Sequence, residues 1–349
     1  MGIALSNLPP KFNQHLLGHS ECKAPVGLKE EIDQVFQDFL CNSCSIEEKN
    51  NIRECVNSII KGPREDDDTF TTPDTHLYRV RKALKIQKYI SENGLNDVME
   101  VPEKYIYYHS QEDKLYVISK KIELSNEIAS INSPHREEIL KKSERMGQVQ
   151  ALREGKPKRD FTPIQARALA ELASLGYTDL NYNNLFFTKD GKVAILDTEP
   201  FTRACKKSLC DGLMGYFIDK TALIAQQAIE GTARLKLFCK NSKALEAVVM
   251  VERNNALWSM AKLTAKIILI SLFVFYALPA FSGTSLAMNS ILTAAKILLF
   301  IKTLVLFNNL FSIGLAWNFS IKGDMYRLNK LDDTALLISE IYREIVSCI

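Results

Sequence analysis

The sequence predicts an α+β protein with a helical N-terminal extension and a pair of apolar helices near its C-terminus. Three observations carry this. Two stretches, KYIYYHSQEDKLYVISKKIEL (104–124) and LFFTKDGKVAILD (185–197), pair apolar runs across a polar turn, the signature of β-hairpins. The segments around them repeat apolar residues every three or four positions, as amphipathic helices do. Finally, Ile267–Ala295 and Thr303–Ile321 contain no charged residue at all. With 349 residues the chain is longer than one ordinary domain needs, and its 46% hydrophobic content fills a sizeable core. Three regions follow: a helical extension and acidic linker over 1–74, an α+β domain over 75–255, and a hydrophobic helical hairpin with a C-terminal helix over 256–349.

In the extension, GLKEEIDQVFQDFLCNS carries Ile32, Val35, Phe36 and Phe39 at helical spacing. SIEEKNNIRECVNSIIKG reads as a second helix, with a capping box from Ser45 to Glu48 and a stop at Gly62. PREDDDTFTTPD (63–74) is polar and acidic, the composition of an exposed linker. THLYRVRKALKIQKYISENG then predicts a short strand, Leu77 to Val80, running into a helix that stops near Gly94. After the first hairpin, SPHREEILKKSERMGQVQALREGKPKRD is charged, helix and loop in character. TPIQARALAELASLG predicts an amphipathic helix with a threonine cap, a proline in its first turn and a glycine stop. It leads through YTDLNYNN into the second hairpin. Beyond Pro200 the chain reads as two or three amphipathic helices.

The last region predicts a helical hairpin, about 264–281 and about 291–317 around the turn-like LPAFSGTS. The first charge-free run exceeds the roughly 20 residues that cross a bilayer. Arg253, Lys262 and Lys266 precede the hairpin and Lys322 and Arg327 follow it. Flanks of one sign suit two ends that both stay on the cytoplasmic side. Lys296 and Lys302 interrupt the second helix, and two buried helices of a soluble lobe are the alternative.

Composition excludes other classes. Forty-four basic against 41 acidic residues leave a net charge of +3 and no basic stripe, so no nucleic-acid partner is expected. The eight cysteines are dilute. Only Cys41 and Cys44 form a CxxC pair; His15 and His19 stand four apart but precede it in a loop-like opening, and the five histidines make no convincing zinc set with it. The cysteines read as free thiols in a reducing compartment. The opening residues lack the apolar run of a secretory signal. They match a myristoylation pattern through Gly2 and Ser6, short enough to occur by chance.

The chemistry concentrates in YTDLNYNNLFFTKDGKVAILDTEP (177–200). Asp179 precedes Asn184 by five residues, and Asp197 follows Asn184 by thirteen, after the hairpin. This spacing resembles the catalytic core of the protein kinase-like fold, where an Asp and an Asn are followed by two short strands and a second Asp. The likeness is good over 163–200, loose over 75–124, and absent beyond about 205. It implies a two-lobed domain with a small β-containing N-lobe and a mainly helical C-lobe, and Mg-ATP as cofactor. Asp179 would be the catalytic base facing the acceptor hydroxyl, with Asn184 and Asp197 as oxygen ligands of Mg²⁺. The phosphate-pairing cation would come from Arg79, Arg81 or Lys82, with Glu92 as helix partner. Ile118 and Lys120, in the strand running into the hinge, would border the adenine. A solvated basic helix start and a plain edge hairpin are the alternatives for these two segments.

Departures from the family pattern are equally plain. Thr178 stands in place of the usual Arg, Asn181 in place of the catalytic-loop Lys, and Thr198-Glu199 in place of Phe-Gly. No G-x-G-x-x-G stands upstream. The resemblance thus leaves open an ATP-dependent phosphotransferase at a membrane surface, a catalytically inactive pseudokinase scaffold with a protein partner, and a membrane-inserting effector such as intracellular bacteria secrete into host cells. Turn chemistry alone also accounts for NYNN and DTEP, since Asn and Asp cap turns.

Overall fold

A computed structural model of the chain describes residues 52–54, 58–62, 73–109, 114–130, 155–176, 185–198, 219–278, 286–324 and 327–328. The fold is mixed α+β and divides into two units. The first comprises 1–130, 134–159 and 181–204; the second comprises 131–133, 160–180 and 205–349.

The first unit is built on a four-stranded antiparallel sheet in the order β1-β2-β5-β4. Its strands are β1 (Ile52–Glu54), β2 (Ser58–Lys61), β4 (Lys104–His109) and β5 (Lys114–Lys120). β4 and β5 form the hairpin expected from the sequence, with Tyr107 opposite Tyr116 and Tyr105 opposite Ile118. β2 lies on the other side of β5, Ile60 opposite Ile118. Here the expectation of a helix over 45–62 is overturned for the described residues. Ile59 and Ile60 belong to a strand, and Gly62 follows a strand end. Tertiary pairing decides: an unpaired edge on β5 accepts a β-branched segment more favourably than water accepts an isolated short helix. The capping box of Ser45 and Glu48 lies outside the described residues.

Helix α1 (Pro73–Glu92) packs on β4 and β5. The strand expected over Leu77–Val80 is instead part of this helix. Val80, Ala83, Ile86 and Ile90 are all buried at spacings of three and four, and this period outweighs a four-residue alternation. The helix ends as expected at Gly94, whose φ of 63° is the left-handed conformation that glycine adopts without Cβ strain.

A second sheet, in the order β3-β9-β8, comprises β3 (Met99–Glu100), β8 (Leu185–Phe187) and β9 (Val193–Ile195). β8 and β9 are the expected hairpin, and β3 runs parallel to β9. Its turn needs Gly191: φ is 84°, and a Cβ there would stand 2.6 Å from an Arg159 guanidinium nitrogen. That guanidinium lies over the Phe187 ring, 5.2 Å from its centre, and pairs with Glu127 at 2.9 Å. Between these elements, β6 (Ile128–Ala129) and β7 (Lys158–Arg159) form a short parallel pair.

The second unit is helical. Helix α2 (Pro163–Ser174) has the predicted start: Thr162 Oγ1 accepts from the Gln165 amide, and the Gln165 side chain accepts from the Thr162 amide. Both are orphan donors of the first turn, so each bond stabilises the helix end. Ala166, Leu169, Leu172 and Ala173 make its buried face. Helix α2 packs on α3 (Lys220–Lys236) and α4 (Ser242–Leu272), which continues through a π-helical turn (Phe273–Ala277). Helix α5 (Leu286–Lys322) returns along α3 and α4. The helices of the hairpin are thus longer than the 264–281 and 291–317 read from the sequence. Ala225, Ile229, Leu263, Leu306 and Ile313 form the seam of this bundle.

Two polar knots sit in the bundle, the first of them buried. At one, Lys236 Nζ pairs with Glu252 (2.6 Å) and donates to the Ser320 hydroxyl (2.6 Å) and carbonyl (3.1 Å), while the Ser320 hydroxyl donates to Glu252. One residue from each of three helices is thereby tied at the foot of the hairpin. At the other, Asp219 caps α3 by accepting from the Thr221 amide (2.8 Å) and pairs with Lys266 of α4 (2.6 Å). Burial works against the Asp219 charge, but the Lys266 and Thr221 hydrogen bonds outweigh it and hold its carboxyl below the usual range.

Candidate functional site

Asp197 leaves the end of β9 with its side chain half-buried. Its two neighbours are fixed from one direction. Lys104, at the start of β4 and buried, donates from Nζ to the Leu196 carbonyl (2.7 Å) and to Thr198 Oγ1 (2.8 Å). Thr198, fully buried, donates in turn to the Arg79 carbonyl of α1 (2.8 Å). One ammonium and one hydroxyl therefore bind three elements together around Asp197: the first strand of a hairpin, the exit of another strand and a helix. Buried polar groups that are all satisfied in this way hold one geometry, because moving any of them strands the others without water.

The cations expected to pair phosphates are placed differently from the strand reading. Arg79, Arg81 and Lys82 are on α1, so Arg79 and Arg81 do not share a face: Arg79 is buried and Arg81 exposed. Lys82 is also buried, and desolvation, then the neighbouring Lys85 charge, lowers its ammonium to about 8. Glu92 stands at the exposed end of α1, 3.6 Å from Lys88 one turn before it. Ile118 is fully buried between Ile60 and Tyr105 in the sheet, and Lys120 is exposed at the end of β5, its amide donating to the Glu103 carbonyl (2.9 Å).

Asp179 and Asn184 lie outside the described residues, as does Glu199. Among the described residues no group of three or more His, Cys, Asp or Glu side chains could hold a metal ion. Thr198, read from the sequence only as a departure from Phe, has a positive role as the hydroxyl linking Lys104 to α1. Sequence reasoning missed Lys104 altogether. Its signal was available but faint: a lysine opening an otherwise apolar, aromatic strand needs a buried acceptor. Lys61, expected in a helix, is instead the last residue of β2 and pairs in register with Val117 of β5.

Comparison of the chain with protein-family models, with curated proteins and with solved structures finds no match.

In the second unit, Ser242–Tyr276 and Asn289–Lys322 are long and apolar enough to cross a membrane, and only 6% of the most apolar stretch of each is buried.

Proposed function

We propose that the chain is an atypical kinase-like protein that binds Mg-ATP at a membrane surface, to which its helical hairpin attaches it. The observation that carries the nucleotide part is Asp197: a half-buried carboxylate at a strand exit, held in place by the Lys104–Thr198–Arg79 network. The sheet order supports the same reading. An antiparallel β1-β2-β5-β4 sheet, with a helix between β2 and β4 packed on it, suits the small lobe of a kinase-like fold. In that fold a strand-borne lysine pairs the phosphates. Lys61, ending the strand beside β5, fits that role better than the helix-borne Arg79 or Lys82. Asp197 and Asn184 are the residues that would hold Mg²⁺, and Asp179 would take the acceptor proton. Bound magnesium supplies neutralising charge for the triphosphate. The hairpin flanks favour a cytoplasmic position for both units, as in an effector acting on a host membrane.

Titration of the detergent-solubilised full chain with Mg-ATP, read by thermal shift, tests this. Stabilisation that requires Mg²⁺ and is lost in Asp197→Asn and in Lys61→Met is the expected result. No shift with nucleotide, from a chain whose circular dichroism shows it folded, removes the nucleotide claim.

A second reading, a pseudokinase scaffold, is favoured by one specific observation. Thr198 is locked to Lys104 and to α1, and the buried face of α1 carries Arg79 and Lys82 where an acidic partner for a strand lysine would be needed. Under this reading nucleotide binds without transfer of label from γ-labelled ATP to protein or lipid.

A further inference from the structure

We propose that the hairpin of α4 and α5 does not cross the bilayer but enters one leaflet as a re-entrant wedge, with a collar of lysines seated on anionic lipid headgroups. This rests on the membrane part of the function proposed above and adds depth, topology and lipid class to it.

Depth follows from where the charges stand. On α4 the last charged residue before the tip is Lys266, and residues 267–278 carry none. On α5 the first is Lys296, and residues 286–295 carry none. At 1.5 Å per residue these arms reach about 18 Å and about 15 Å, against about 30 Å for the hydrocarbon core. A full crossing would draw Lys266, Lys296 and Lys302 well into the hydrocarbon, a costly position for ionised groups. A half crossing leaves them at the headgroups, with Lys296, six residues nearer the tip than Lys302, within reach of the surface by snorkelling.

The surface near the tip is apolar, and apolar exposure continues along α5 at Leu304, Phe307 and Phe311. Leu269, Leu272, Phe273, Phe275, Tyr276 and Ile291 are exposed, Tyr276 by 76%. An apolar face of that kind is unstable in water.

Charge names the lipid. At the start of α3, beside Lys220, Asp219 pairs with Lys266 and lies within electrostatic reach of Lys302; Lys262 stands four residues before Lys266 on α4 and Lys296 six before Lys302 on α5. Five cations less one anion leave +4. A collar of that charge above an apolar tip fits an anionic leaflet and gains little from a neutral one.

The full chain, diluted from detergent into vesicles, tests both parts. Flotation is measured with vesicles of neutral phosphatidylcholine and with one-third phosphatidylglycerol. We expect binding to the anionic vesicles to be stronger, to weaken as salt rises, and to fall about 5-fold for each lysine removed in Lys262→Gln and Lys296→Gln. Equal, salt-independent binding to both vesicles overturns the collar. Depth is read with Phe281→Trp, between the two helices in sequence, in a chain carrying Trp258→Phe and Trp317→Phe. Lipids brominated near the chain ends should quench this tryptophan most. Strongest quenching by bromines near the headgroups overturns the half crossing. A folded chain that floats with neither vesicle sinks the membrane reading itself, an outcome distinct from the other two.

Discussion

His76 is an almost fully buried titratable group of the first unit, and its cost can be measured. The ring is buried in α1, and among the described residues neither nitrogen has a hydrogen-bond partner. Desolvation, then the Arg79 charge, lowers it from 6.5 to about 3. The unfolded chain therefore binds a proton at this ring between about pH 6.5 and pH 3 while the folded chain refuses it. Stability tied to this group is complete above pH 6.5 and is lost as pH falls through that window. His76→Leu, which keeps the apolar volume and removes the proton, should lower the midpoint of acid unfolding while changing stability little at pH 7.5. Urea titrations at pH 7.5 and pH 5 measure both. Cys239 marks the opposite case. Burial, then the Asp160 charge, pushes its thiol up to about 12, so it is an inert core residue.

Among elements, the junction of β4, β9 and α1 carries the sharpest expectation. Removing the Lys104 ammonium leaves the Leu196 carbonyl and Thr198 hydroxyl short of a donor in a dry site, each at about 1–3 kcal/mol. Lys104→Met and Thr198→Val should each destabilise the chain, and the double variant by less than the sum, with a coupling of about 0.5–3 kcal/mol in a double-mutant cycle. How much of this was legible follows from the same elements. The two hairpins and α2 were readable because their signals are local: alternation across a polar turn, a capping box, a glycine stop. β1 and β2 were not, because short β-branched segments become strands only when a distant edge such as that of β5 is there to pair with them. The Asp197 spacing was readable. The Lys104–Thr198 bond was not, since it joins residues 94 apart in sequence and neither side chain declares its partner.

For the whole molecule, the second unit depends on the Lys236–Glu252–Ser320 knot more than on any single apolar contact. Glu252 is buried to 2% and Lys236 to 14% exposure. Losing one partner of a buried pair leaves the other uncompensated, at about 3–5 kcal/mol. Glu252→Gln or Lys236→Met alone should therefore lower the melting temperature sharply, while Lys236→Met with Glu252→Leu should recover most of the loss. Calorimetry of the three variants measures this. That knot and the apolar seam from Leu263 to Leu306 join α4 to α5 through space, independently of the peptide link at their far ends. A protease that cuts between the two arms would separate the sequence into two polypeptides without parting them. The nicked pair would keep its bundle, and chain continuity at the apex would serve insertion alone.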